Sequence, residues 1–337
     1  MAIVSSDVSV GDTLLTGQYN DLRSDVLSAI GYFGDGSDGN VTISSLTILS
    51  RNMFYNDLTI NASQILEIRN HLVFVKGTLT LNGDIIDTSE SGKAGANGSS
   101  DQGGVDGVGV ADGFFITVDG HGNLGDGEIG NGSAGAASGQ IDSLLPSATE
   151  GGVGGTGGNG NGTTGGVGGA TSNVQLDNGE FPLGSPFHIM MGLHRTIADP
   201  PAFNALRTAS CGTQGGGGGG DNSSVLGGGG GGGGSPGGIL LIAANKVAGT
   251  GNVKSIGGNG GTGANGLGTS EDTGGGGGGG GGAGGVVVFI SRGDTTVWTT
   301  SVVGGTGGSG GNGTNSGTNG AAGANGDAGL VILADAS

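Results

Sequence analysis

A single cysteine, Cys211, rules out an intramolecular disulfide, so no covalent framework holds this chain. Proline is scarce too, six in 337 residues. Collagen is thereby excluded, because its triple helix needs abundant proline or hydroxyproline beside glycine at every third place. Only 11% of residues are charged and ten are lysine or arginine, with no basic run. Nucleic acid is therefore not an expected partner. The formal charge of −18 reflects that shortage of cations, not acidic blocks. The longest apolar run, Ile239 to Ala244, falls far short of the ~20 residues a membrane helix needs. The opening MAIVSSDVSVGD lacks the basic region and long apolar stretch of a secretory signal. An outward-facing protein without a signal fits a virion component released by lysis, or export that needs no N-terminal signal. The expected location is the virion surface or the extracellular space.

Glycine is what the chain has instead: 89 residues, about a quarter of the total, against a usual ~7%. Residues 1–33 read as an anchoring or oligomerisation module. A short strand at Ser5 to Val10 precedes a helix in which Tyr19, Leu22, Val26, Leu27 and Ile30 recur at helical spacing, with Gly31 as the stop. Such a stripe must pack on something, either a three-fold bundle of identical chains or the next segment of the same chain.

Residues 34–91 change character. Val41 to Ser44, Leu46 to Leu49, Leu58 to Asn61, Leu66 to Arg69, Leu72 to Val75 and Leu79 to Asn82 alternate like strands, with Asn and Gly turns between them. Leu-Thr-Ile-Asn units with asparagine at the corners predict rungs of a parallel β-helix; a small β-sandwich is the alternative.

From Gly92 the period becomes three and spans 92–337. Gly305, Gly308, Gly311, Gly317, Gly320, Gly323, Gly326 and Gly329 carry it, broken only by Thr314. Three residues per turn is the period of the polyproline II helix. Its N–H and C=O groups point outward and must find partners. Where a face is glycine, a neighbouring chain can approach and supply them, which predicts a polyglycine II bundle. The number of glycine phases predicts position. Gly151 to Gly169 carries two glycines in three. The uninterrupted runs Gly227 to Gly234 and Gly274 to Gly282 belong at the centre, and the stretch ending at Gly329 belongs at an edge. A disordered linker would not keep glycine in phase.

A second repeat supports order. Ile239 aligns with Val286 and Gly257 with Gly304, both 47 residues apart, and Gly329 to Leu333 begins a third copy. Each unit reads as a β-hairpin feeding a glycine helix, so stacked hairpins are expected to cap the bundle. The fold expected is thus mainly β and irregular, with a short N-terminal helix, a small parallel β-helix-like region, and a hairpin-capped glycine bundle. Insertions interrupt it at 99–149 and 181–214.

Chemistry-bearing motifs are weak. Gly-x-Gly-x-x-Gly recurs too often to signal a nucleotide site, and none has the strand, helix and distant acid it needs. His188, His194 and Cys211 lack metal spacing, and loop histidines with a small buried thiol explain them better than zinc. Asp35, Asp38, Asp119, Asp126 and Glu128 sit in Gly- and Asn-rich turns, where oxygen ligands for calcium are conceivable, but no calcium-loop pattern accompanies them. No catalytic triad or paired carboxylates stand out, so neither an enzyme nor a required cofactor is expected. A depolymerase on a β-helix has no residue-level support. Phe187, Met190, Met191, His194 and Phe203 form a candidate apolar contact surface; plugging the bundle or making a subunit interface explains them equally well.

The run Gly274 to Gly282, the two-in-three glycine segments and the intervening loops resemble the receptor-binding adhesins at the tips of T-even-type phage long tail fibres, over roughly residues 92–329. That resemblance implies a sandwich of polyglycine II helices that recognises outer-membrane proteins through loops at one end. It places receptor contacts in Asp221 to Leu226 (with Asn222), Leu267 to Thr273 (with Glu271 and Asp272), Thr314 to Ser316 and the 181–214 insertion. The chain departs from those adhesins in its N-terminal half, which suits a complete short fibre. The expectation is a virion fibre or adhesin, a homotrimer docked to other virion proteins through its N-terminus and binding a host surface protein or glycan. The rival is a purely structural fibre, a capsid decoration protein or a self-assembling filament subunit.

Overall fold

The computed structural model describes residues 33–69, 71–87, 132, 151–169, 218, 220, 225–268, 271–292 and 298–335. The helix expected near Tyr19 to Ile30 and nearly all of both insertions lie outside these residues. Among the described residues the regular elements are strands, and there is no helix: β1 (Val41–Ile43), β2 (Thr47–Ile48), β3 (Met53–Tyr55), β4 (Leu58–Ile60), β5 (Ile65–Glu67), β6 (Leu72–Leu81), β7 (Asp84–Ile86), β8 (Ile239–Ala248), β9 (Asn252–Lys254), β10 (Val286–Ser291), β11 (Thr299–Ser301) and β12 (Leu330–Asp335).

The Leu-Thr-Ile pattern sets the faces. In β4, Leu58 and Ile60 are fully buried while Thr59 between them is partly exposed, as a period of two requires. The strands form two sheets, one in the order β1-β4-β6-β8-β10-β12 with β3 beside β6, the other β11-β9-β7-β5-β2. Every strand pairing in both sheets is parallel. The chain passes back and forth between the sheets as it advances, so each circuit adds a rung. These parallel sheets fit the mainly β expectation. Strand β6 carries a register shift between Val75 and Thr78. Its first half pairs with β3 and its second with β4.

One apolar core fills the space between the sheets. It includes Leu58, Ile60, Leu66, Leu79, Ile85, Leu240, Ile242, Val253 and Phe289. Each such side chain contributes about 1.5–3 kcal/mol on burial. The core crosses the boundary expected at 91–92, because β6 pairs with β8 and β7 with β9. Residues separated by a long stretch of sequence thus share one stack.

The hairpins expected as caps are not formed. Strands β8 and β9 lie in different sheets, and each pairs in parallel with strands one rung away. Between them Gly249 takes φ 92°, which turns the chain toward the second sheet. A strand, a turn and a second strand look alike in sequence whether the turn closes a hairpin or rounds a corner. Only the long-range partner differs.

The 47-residue repeat appears as register, with Ile239 beside Val286 and Asn252 beside Thr299. The third copy pairs Val286 with Leu330, a spacing of 44 residues. Glycine segments leave and re-enter this stack. Residues 255–267 leave β9 and return as 273–285 into β10; residues 303–313 leave β11 and return as 317–329 into β12; residues 227–238 enter β8.

Segments 273–285 and 227–238 are buried throughout. The first bonds laterally to five neighbours, with a bond every third residue. Gly276, Gly279 and Gly282 donate to Ala264, Gly261 and Gly258. Gly275, Gly278 and Gly281 donate to Thr318, Ala321 and Ala324. The carbonyls of Gly281, Gly278 and Gly275 accept from Gly152, Gly155 and Gly158, those of Gly277 and Gly280 from Gly231 and Gly234, and those of Gly282, Gly279 and Gly276 from Gly305, Gly308 and Gly311. In 317–329 only every third residue, the glycines, is shielded, and the two residues between are exposed. The uninterrupted glycine runs are thus the buried segments, and 317–329 is the exposed one.

Candidate functional site: the turns at the far ends of the glycine segments

The outgoing and returning glycine segments are joined by turns, and hydrogen bonds tie these turns to one another. At 267–273 the chain reverses through Gly268 with φ 89°, and at 313–317 through Asn315 with φ 46°. The Asn161 N–H donates to the Asp272 carbonyl at 2.9 Å, which joins the 160–163 turn to the 267–273 turn. The Ser316 N–H donates to the Asp272 Oδ1 at 3.0 Å. The Glu271 carbonyl accepts from the Thr314 Oγ1 at 2.7 Å and from the Asn315 Nδ2 at 3.0 Å. A Cβ built on Gly268 would meet the Val225 side chain and the Glu271 carboxylate, so residue 225 closes the same cluster. Hydroxyls complete it: Thr273 Oγ1 donates to the Leu267 carbonyl at 2.7 Å, and Thr163 Oγ1 donates to the Gly220 carbonyl.

Among the receptor-contact candidates, Leu226, Leu267, Glu271 and Asp272 therefore belong to one cluster of turns. All four are half-buried. Asn315 and Ser316 beside them are exposed. Phe187, Met190, Met191, His194, Phe203, Asp221 and Asn222 lie outside the described residues, as do His188, Cys211, Asp119, Asp126 and Glu128. The sequence reading included Thr273 and Thr314 in candidate loops but gave their hydroxyls no role, and it did not name Thr163. Thr273 is fully buried and Thr163 nearly so. The available signal was Thr314, the single break in the glycine period, whose hydroxyl bonds the neighbouring turn.

Two calcium candidates have other occupations. Hydrogen bonding from Arg51 holds Asp38 below the usual carboxylate range against the opposing effect of burial, and Asp38 Oδ2 also accepts the Phe54 N–H. Asp35 Oδ1 accepts the Ser37 N–H, and hydrogen bonding with Ser37 holds its pKa low too. Among the described residues no group of three or more His, Cys, Asp or Glu side chains is arranged to hold a metal ion.

Along the shafts, asparagine side chains extend the lateral bonding. Asn259 Oδ1 accepts from the Thr306 N–H, and Asn265 Oδ1 from the Asn312 N–H, each across one 47-residue repeat. Asn325 Oδ1 likewise accepts from the Gly307 N–H. The turn cluster is thus carried on tightly bonded shafts. It presents two carboxylates, an exposed amide and hydroxyl, and two half-buried leucines. Such a surface can bind through hydrogen bonds and apolar contact. Comparison with family models, curated proteins and solved structures found no match to this chain.

Proposed function

We propose that this chain is a virion fibre or tail-fibre adhesin that binds a host cell-surface receptor, without catalysis, through the turns at the far ends of its glycine segments. In this reading the glycine segments are polyglycine II helices packed as a bundle. The three-residue period of their lateral hydrogen bonds supports it, as does the change of neighbour at each successive residue: a Cβ on Gly276, Gly277 or Gly278 would strike a carbonyl of a different segment. Thirteen residues at ~3.1 Å each carry a turn about 40 Å from the strands. The mechanism is presentation, in which a stiff scaffold holds loops away from the particle.

The observation that carries the reading is the convergence of the 160–163, 267–273 and 313–317 turns on one hydrogen-bonded cluster. The protein added to host cells should block infection, and Asp272→Ala with Asn315→Ala should abolish the block without lowering Tm appreciably. Full blocking by that double variant would sink the assignment of the tip. Homotrimeric assembly and docking to other virion proteins through residues 1–33 belong to the same reading. Sedimentation as a stable monomer would remove the trimer.

One observation favours the structural rival. Strand β12 forms an edge of its sheet, and its Leu333, in register with buried Phe289, is 52% exposed. An exposed apolar edge suits end-on assembly. Electron microscopy of the purified protein tests it, because a filament subunit should polymerise and an adhesin should not.

A further inference from the structure

Successive side chains of a strand point to opposite faces. Val73, Ile242 and Phe289 belong to the core. Leu72, Phe74, Leu241, Ala243, Val288 and Ile290 alternate with the core residues, so they make a second apolar surface on the other side of the same sheet. They are buried as well, from Ala243 at 0% to Val288 at 9% exposure. A solvated outer face would alternate with polar residues, and this one does not.

Of the described segments, the one that opens at Phe33 reaches this surface. Arg292 continues the alternation of Val288 and Ile290, and its guanidinium lies over the Phe33 ring, 5.4 Å from the centroid. A Cβ on Gly34 would lie 2.8 Å from the Phe74 Cβ. Phe33 itself is 7% exposed. Phe33 and Gly34 therefore lie on the outer face of the sheet, Phe33 beside the end of β10 and Gly34 beside β6.

We infer that residues 16–30 dock as an amphipathic helix across this outer face of their own chain, with Tyr19, Leu22, Val26, Leu27 and Ile30 against it. Reach and size agree. Ile30 is three residues from Phe33, so its position is fixed to within about 10 Å. A helix of fifteen residues is about 22 Å long, and the four strands β6, β8, β10 and β12, spaced ~4.8 Å, span about 14 Å, so the helix is long enough to cross all of them with about a turn and a half to spare. The stripe left open in sequence between a bundle of three chains and the same chain is then used in cis. The polar side of the segment, with Asp21, Ser24, Asp25 and Ser28, remains for mounting on a particle, while Arg23 falls within the stripe between Tyr19 and Leu27 and must carry its charge out to the rim; any trimer must be built from other surfaces. None of this depends on what the turn cluster binds.

Hydrogen exchange on the full chain tests the docking. Amides of 16–30 should exchange at least about a hundredfold slower than random coil, with the same protection at high and low protein concentration. Leu22→Asp with Val26→Asp should remove that protection and raise binding of an apolar-surface dye, while amides of 274–285 stay protected. Ser24→Asp should change neither. Protection of 16–30 that rises with protein concentration would place the stripe in a bundle between chains and overturn the inference. So would random-coil exchange in the wild type, or unchanged dye binding in a double variant whose glycine core is intact. The concentration series needs no variant, so it decides even where the double variant does not fold.

Discussion

Replacing Gly279 with alanine sets two effects of opposite sign against each other. Where the backbone tolerates it, Gly→Ala stabilises by about 0.4–1 kcal/mol, because the unfolded chain has fewer conformations to lose. At Gly279 the added Cβ would lie 1.9 Å from the Gly232 carbonyl oxygen, well inside any real contact. Segment 227–237 must retreat by more than an ångström. It is held by N–H donation from Gly231 to Gly277 and from Gly234 to Gly280, each at 2.8 Å, and both bonds would stretch beyond use. The alternative, moving 273–285 instead, loosens its bonds to segments 255–266 and 303–314. Two buried bonds at about 0.5–1.5 kcal/mol each, plus overpacking strain of about 1–3 kcal/mol, outweigh the entropic gain. The net expectation is a loss of about 2–5 kcal/mol. For a unit of this size that corresponds to roughly 5–15 °C in Tm by calorimetry or circular dichroism. Ala322→Ser, at an exposed position of 317–329, is the control and should stay within about 0.5 kcal/mol. Equal melting temperatures for the two variants would refute the lateral lattice as the source of stability.

Three further outcomes are expected. Thr314→Val keeps the shape but removes the hydroxyl that bonds the Glu271 carbonyl. It should speed amide exchange in the 267–273 and 313–317 turns and weaken the receptor binding proposed above, with Tm little changed because the loss, about 1–3 kcal/mol, is local to the tip. Burial raises the Asp84 pKa, but hydrogen bonds from Lys254 and Asn252 outweigh it and hold the value below that of a free aspartate. Because the folded value is the lower one, this stabilisation is present above the unfolded pKa of ~3.9 and is lost as pH falls through the folded value. Asp84→Asn should therefore flatten the acid side of the stability profile below about pH 5, as read by urea midpoints at a series of pH values. Leu333→Ser, at an exposed edge position, should cost less than about 0.5 kcal/mol yet abolish any end-on self-association seen by sedimentation.

The glycine region was legible because its physics is local. A residue without a Cβ is needed wherever a neighbouring carbonyl sits, so the phases of Gly276, Gly277 and Gly278 record three neighbours directly. The 47-residue repeat was legible as register for the same reason: Ile239 and Val286 occupy the same place in successive rungs. The coil topology was not. Whether β8 turns back on β9 or stacks on β10 depends on contacts dozens of residues away, and Gly249 serves either outcome. The pairing of β6 with β8 was hidden further by the long insertion between them. At the tip, Leu267, Glu271 and Asp272 were singled out only through the resemblance to the phage adhesins. Thr273 was not singled out, because a threonine beside a glycine run carries no mark of the carbonyl it will bond.

The two spacings of the repeat differ by one glycine period, and the difference falls in a turn. On the outgoing side Gly305, Gly308 and Gly311 face the carbonyls of Gly258, Gly261 and Ala264, 47 residues back; on the return Gly320, Gly323 and Gly326 face those of Gly276, Gly279 and Gly282, 44 residues back. Length lost at the tip is invisible to the sheet, since both arms keep their register. Such a molecule separates the sequence it must preserve from the sequence it is free to change. Insertions, deletions and substitutions can accumulate where the arms reverse, so new surfaces can be tried on an unchanged shaft.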